Sequence, residues 1–373
     1  MQRTRTLAHA LLMAAGLFGA AAAQAQTLTG RVVDPETGET VPGAMVLLRG
    51  EDGMEQRALA DSAGAYTIRA RRAGTYTVSA ERVGYQSTPS APIVLADGQT
   101  VTHPLTAGVR RVVLDAITAT GRARRCEGDV RRGPEAQLLW EEARKVVASA
   151  ALTQQQEELT FVTRLHRRFR RLDNSRPTQS ENWTIIAAGK PFTSLTAEQL
   201  LARGYVTFDR DSATFQGIDA RAILSDAFVQ HHCFSVAEAE ADKPEMVGLE
   251  FMPLRRTREP DVHGVLWLDR ASAELRLVEY RFTNLPYRGP VERLGGRLRF
   301  ERLPNGGWIV RDWIVNAPFL DPTIPLTGEL RRPRVRGLVE HGGWVVEIRG
   351  TGGVPGATAE GDTDPAPANT GQR

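Results

Sequence analysis

Residues 27–50 read TLTGRVVDPETGETVPGAMVLLRG and residues 58–87 read ALADSAGAYTIRARRAGTYTVSAERVGYQS; these two runs decide the fold of the first part of the chain. Short β-prone segments alternate with turn clusters at Asp34-Pro35-Glu36-Thr37-Gly38, Asp61-Ser62-Ala63-Gly64 and Ala73-Gly74. That spacing is the one expected of an all-β sandwich. Tyr66 and Ile68 alternate with Thr67 and Arg69, while Tyr76, Val78 and Ala80 alternate with Thr75, Thr77 and Ser79. One face is therefore apolar and the other polar, as a sheet with a single buried side requires. The alternation places Tyr66 and Tyr76 in a core rather than on a surface.

Four ordered pieces of this stretch carry a resemblance: Gly30-Arg31-Val32-Val33-Asp34, Pro42-Gly43-Ala44-Met45-Val46, Asp61-Ser62-Ala63-Gly64-Ala65-Tyr66 and Gly74-Thr75-Tyr76-Thr77-Val78. Together they resemble the carboxypeptidase regulatory-like domain. The resemblance implies a seven-stranded, prealbumin-like (transthyretin-like) β-sandwich over residues 26–107 and implies no activity, because this module is joined to many unrelated proteins. Val109 to Gly121 is similar to the junction that follows the same domain in TonB-dependent receptors. About 250 residues remain beyond it, too few for the plug and large barrel of that class. Residues 108–133 therefore read as a linker.

The 373 residues carry 47 Lys and Arg against 44 Asp and Glu, a formal charge of +3. Arg3 and Arg5 begin a 25-residue leader whose apolar run ends at Ala23-Gln24-Ala25, the pattern of a secretory signal. Without those two arginines the balance is +1, which gives no global field for nucleic acid. No later apolar run is long enough for a transmembrane helix, so the expected product is exported, in the periplasm or at the periphery of the outer membrane. Export bears on the two cysteines, Cys126 and Cys233, which an oxidising compartment favours as a disulfide over two free buried thiols. The bridge would close a loop worth about 4 to 5 kcal/mol in the chain-entropy model.

In the second part, Pro134 to Leu152 predicts a helix with Leu139, Ala143, Val146 and Ala150 on one face. Thr196 and Gln199 form a capping-box pattern for a short helix over 197–203, stopped at Gly204. Strands are expected over 160–172 and 180–188. Hairpins follow at 264–269 with 274–284, 296–303 with 308–316 across Pro304-Asn305-Gly306-Gly307, and 334–340 with 344–349 across His341-Gly342-Gly343. The expectation is a mainly β protein: the sandwich, then an α+β unit of antiparallel hairpins packed on a helix over 134–350, then a disordered tail over 351–373. Gly264 to Asp269 followed by Leu275 to Tyr280 looks like the strand pairs of periplasmic lipoprotein carriers, which implies an open half-barrel and an apolar pocket. The order of leader, sandwich, helix and the segment Asp226 to Phe234 also resembles exported bacterial proteins that carry the regulatory-like domain.

Few residues suggest chemistry. None of the seven histidines begins HxxE or HExxH, and neither a Gly-x-Ser-x-Gly elbow nor a phosphate-cradling loop is present, so neither a reaction nor a cofactor is expected. His231-His232-Cys233 on a strand would offer His231 and Cys233 on one face, with Cys126 or His263 as further metal ligands, against a disulfide beside two ordinary histidines. Asp209 and Asp211 lack the Gly of a calcium loop and read as a surface turn. Arg164, Arg168 and Arg170, within the run Arg164 to Arg171, form a candidate anion-binding face, set against an ordinary charged outer face of a strand. Asn182-Trp183-Thr184 reads as a sequon of no consequence in a bacterial chain. Tyr66, Tyr76 and Tyr85 are candidates for a sugar platform, and Trp267, Trp308, Trp313 and Trp344 for the core. The expected role is a non-catalytic envelope scaffold or binding protein, with the sandwich as a docking or stability module and the larger half binding a hydrophobic or polymeric partner, whether protein, glycan or lipid. The alternatives are carbohydrate or peptidoglycan binding through the sandwich, and an accessory or remnant of a peptidase or receptor system.

Overall fold

A computed structural model describes residues 26–108, 110–114, 117, 133–155, 159–173, 176–189, 192, 194–208, 213–254, 258–320 and 333–350. The leader, Cys126, Asp209, Asp211 and the tail 351–373 lie outside the described residues.

The first body is two facing sheets. One contains β1 (Gln26–Val33), β4 (Ala65–Ala70), β8 (Thr100–Thr102) and β9 (Leu105–Thr106); the other contains β2 (Met45–Gly50), β3 (Glu55–Leu59), β5 (Gly74–Glu81) and β7 (Ile93–Leu95). The short strands β6 (Tyr85–Gln86) and β10 (Arg110–Arg111) pair beside them. The core between the sheets is made by the alternating residues: Leu28 and Val32, Val46 and Leu48, Tyr66 and Ile68, Tyr76 and Val78. The Tyr66 hydroxyl donates to the His103 carbonyl at 2.6 Å and that of Tyr76 to the Arg72 carbonyl at 2.7 Å, so each ring is buried without stranding its polar end.

The second body is a nine-stranded, wholly antiparallel sheet in the order β12-β11-β21-β20-β19-β18-β17-β16-β15. Its strands are β11 (Leu159–Arg171), β12 (Gln179–Ala188), β15 (His232–Val236), β16 (Met246–Pro253), β17 (Asp261–Asp269), β18 (Leu275–Thr283), β19 (Gly295–Arg302), β20 (Trp308–Leu320) and β21 (Val335–Gly350). A separate small hairpin joins β13 (Val206–Phe208) to β14 (Ala213–Phe215). Among the described residues four α-helices accompany the sheet: α1 (Gly133–Gln154), α2 (Ala197–Arg203), α3 (Ala220–Ile223) and α4 (Asp226–Val229). At α2 both halves of the expected capping box form between Thr196 and Gln199.

α1 packs against β15, β16, β17, β18 and β20 through Leu139, Ala143, Val146 and Ala150, which share one core with Phe234, Leu249, Leu266, Val278 and Trp308. The inner face of the sheet is therefore covered by a helix along β15 to β18 and β20. α1 is also buried on its other side, because Glu142, Lys145, Ser149 and Thr153 are buried as well. That polar side meets the first body. Lys145 Nζ donates to Glu142 Oε1 at 2.7 Å and to the Tyr85 carbonyl at 2.6 Å, and Glu142 Oε2 accepts from the Gly84 backbone at 2.8 Å. The pair thus completes the backbone hydrogen bonds of the β5–β6 turn of the sandwich.

A second contact joins two turns. A Cβ on Gly43 would lie 2.2 Å from Gly306, and one on Gly306 would lie 2.1 Å from the Pro42 carbonyl oxygen; both glycines have positive φ. Beyond the sandwich the chain does not run free at once: Val112, Leu114 and Ile117 are buried in the second core, and Arg270 Nη1 donates to the carbonyls of Leu114 and Ile117.

One expected hairpin is absent. His341-Gly342-Gly343 is not a turn, since β21 runs unbroken for 16 residues. A Cβ on Gly342 would meet the His166 ring at 2.6 Å, and one on Gly343 would meet Leu165 at 2.5 Å and the Trp313 ring at 2.6 Å. These glycines make room for side chains of neighbouring strands rather than for a reversal. The sheet also contains β16, which pattern reading passed over.

Candidate functional site

Three places could engage a ligand. A cavity of about 30 Å³ between Pro42, Gly43, Arg82, Lys145 and Trp308 is large enough for one water and no more. A cleft of about 450 Å³ is lined by Leu200, Tyr205, Gln230, His231, Leu254 and Asp261. Beside it, His232 Nε2 lies 2.9 Å from Asp261 Oδ1 and Nδ1 lies 3.2 Å from the Phe228 carbonyl, while the ring stacks on Phe228 at 3.7 Å. Both ring nitrogens face acceptors, so His232 ties β15, β17 and α4 together. Burial and the charge of Asp261 push the Tyr205 phenol up, so it stays protonated.

The histidine pair departs from its expected placement. His231 precedes the strand, in an exposed turn, so it does not share a strand face with Cys233. Cys233 is buried on β15; Cys126, its expected partner, falls outside the described residues. His263 pairs instead with Glu250 at 2.8 Å and Arg281 at 2.9 Å. Among the described residues no group of three or more His, Cys, Asp or Glu is placed to hold a metal ion.

The third place is the open end of the large sheet, where β12, β11 and β21 lie side by side. Every residue of β12 is exposed, although the strand is ten residues long and contains Trp183, Ile185 and Ile186 at 44%, 43% and 58% exposure. β12 pairs with β11, and among the described residues no strand pairs with its other edge.

Cross-strand register sorts the side chains of this end into two faces. Leu165 lies opposite Trp183 and Gly343, and Phe169 stands edge-on to the exposed Phe319 at 6.4 Å. On the reverse face Arg164, His166, Arg168 and Arg170 follow one another at every second position. The three predicted arginines therefore do share a face. Glu340 sits among them: His166 Nε2 is 3.0 Å from it, Arg168 3.5 Å and Arg170 3.8 Å, while Arg164 lies over the Trp344 ring at 5.8 Å. Burial opposes the charge of Glu340, but the hydrogen bond from His166 and the arginine charges outweigh it and hold the carboxyl below its ordinary value. His341 is pushed down by burial and by Arg167 and His166.

The aromatics divide as the core requires. Tyr66, Tyr76, Trp267, Trp308 and Trp313 are buried, and Trp344 is half-buried. Tyr85 lies at the junction, under Arg82 at 4.2 Å, so it offers no sugar platform. Trp183 is the exposed indole that sequence reading missed, since its place in a sequon drew attention away from its side chain. Alternation within 179–188 does not flag it, because neither face of that strand is covered.

Residues 27–107 match the carboxypeptidase regulatory-like domain. The regulatory-like domain spans β1 to β9, the whole sandwich. Among curated proteins no relative matches the chain. Similar solved structures include 5-hydroxyisourate hydrolase from Klebsiella pneumoniae, at 22% identity and a TM-score of 0.19 over 23% of this chain and 93% of that one. The pilus 2b backbone protein of group B streptococcus is 17% identical with a TM-score of 0.18, over 22% of this chain and 41% of that one. A Bacteroides uniformis protein named as a "putative carbohydrate binding protein" is 10% identical with a TM-score of 0.21, over 69% of this chain and 95% of that one. The chain thus spans less than half the length of the pilus protein. Among the described residues no helix is long and apolar enough to cross a membrane.

Proposed function

We propose that this chain is an exported, non-catalytic binding or scaffold protein of the cell envelope, which engages its partner through the β12-β11-β21 end of its large sheet. The observation that carries the reading is the exposure of β12 along its whole length, with Trp183, Ile185 and Ile186 in water. A long edge strand with apolar side chains is an association hazard unless something covers it. The regulatory-like domain acts as a buttress in this reading, because its β5–β6 turn is tied into the buried Lys145–Glu142 pair. The leader supports the envelope as the place of action. A photo-crosslinking residue at position 183, in the source bacterium, tests the reading. An adduct with an envelope component is expected there and not at a control position on the sandwich, Asp52. Equal or absent labelling at the two positions would remove the proposal.

A further inference from the structure

The charge of the chain is concentrated at this same open end. β11, β12 and β21 together carry seven arginines, Arg164, Arg167, Arg168, Arg170, Arg171, Arg336 and Arg349, against the three glutamates Glu181, Glu340 and Glu347. That surplus of four exceeds the +3 of the whole chain, so everything outside these strands is slightly acidic. Basic charge and exposed apolar side chains therefore occupy the same three strands, and their order is regular. Trp183, Ile185 and Ile186 stand on the outermost strand and five of the seven arginines on the next, Arg167 and Arg171 on the face of Trp183 and Arg164, Arg168 and Arg170 on the face of Ile186.

We infer that the partner is a lipid surface bearing anionic phosphate headgroups, into which the β12 edge dips while the arginines of β11 rest at headgroup level. The inference rests on the reading above that this end is the partner surface. An indole and two isoleucines at the edge suit the boundary between headgroups and acyl chains, where an amphipathic ring keeps its N–H in the polar zone. Arginine forks suit phosphate oxygens, and each cation near an anionic surface strengthens attachment. The backbone N–H groups along the outer edge of β12, with which no strand pairs among the described residues, are further donors to the same oxygens. Glu340, held ionised among its arginines, keeps that row of cations spaced across the face. A protein strand added to the edge would use the backbone groups and leave the arginine surplus without a role.

The test uses the mature full-length chain and sedimentation with vesicles of phosphatidylethanolamine plus phosphatidylglycerol, beside vesicles of phosphatidylcholine. Binding is expected to the anionic vesicles, and to fall when salt is raised from about 50 to about 500 mM. Trp183→Ser with Ile186→Ser, and separately Arg171→Glu, should each lower it about tenfold or more, with melting temperatures unchanged because these side chains are exposed. Equal binding to neutral vesicles, no binding, or binding that survives both variants would overturn the inference. If crosslinks from position 183 go to protein and never to lipid, the surface stands as the partner site and the lipid assignment falls.

Discussion

Glu340 shows how one side chain can set the behaviour of a surface. Its carboxyl pairs with His166, Arg168 and Arg170, and its folded value lies below the ordinary 4.5. A carboxyl depressed by folding stabilises the protein fully above its unfolded value, and that contribution is lost as pH falls below 4.5 through the folded value. Glu340→Gln should therefore flatten part of the acid limb of a stability curve below pH 4.5, while leaving Arg168 and Arg170 without that counter-charge at pH 7. Chemical denaturation across pH 3 to 7 checks this; an unchanged acid limb contradicts it. The arginines were legible in the sequence as a run. Glu340 was not, because it lies about 170 residues away and is brought alongside by the β11–β21 register.

At the scale of elements, β21 is the instructive case. Gly342-Gly343 has the composition of a turn, and local chemistry alone makes it one. The strand continues because Trp313 on β20 and Leu165 and His166 on β11 fill the space above the two glycines. Gly343→Val should place a branched side chain against the Trp313 ring and destabilise the protein by about 1 to 3 kcal/mol, read from the urea midpoint. A neutral or stabilising result would mean the site is a flexible reversal after all. By contrast, α2 obeyed its local signals in full, since a capping box and a glycine stop depend on neighbours in sequence and on little else. β12 lies between these cases: its extent was readable, but its openness was a property of the sheet order, which places it at an edge.

Over the whole molecule, the helix α1 is the shared wall of the two bodies. Its apolar stripe was plain from spacing, whereas the role of its opposite side was hidden, since Glu142 and Lys145 at i and i+3 look like an ordinary solvent pair. Here they are buried, and burial pushes the Glu142 carboxyl up even against the attraction of Lys145. Lys145→Met should leave Glu142 and the Tyr85 carbonyl without their cation and cost about 3 to 5 kcal/mol at pH 7. The loss should shrink at pH 5, where the stranded carboxyl takes up a proton. Two separated melting transitions in that variant would show that the pair couples the bodies. Stability equal to the parent protein at pH 7 would show that it does not.

Taken alone, the sequence determined the sandwich, the two capped or amphipathic helices and the antiparallel character of the second half, because each of these follows from periodicity and turn chemistry within a few residues. Only the tertiary structure decided which strand lies at the open edge, which glycines turn and which accommodate rings, and where the acid and the arginines meet. Those outcomes depend on pairings such as β11 with β21 and on the packing of α1 between two bodies, and contacts between residues far apart in the chain leave no local mark on its pattern.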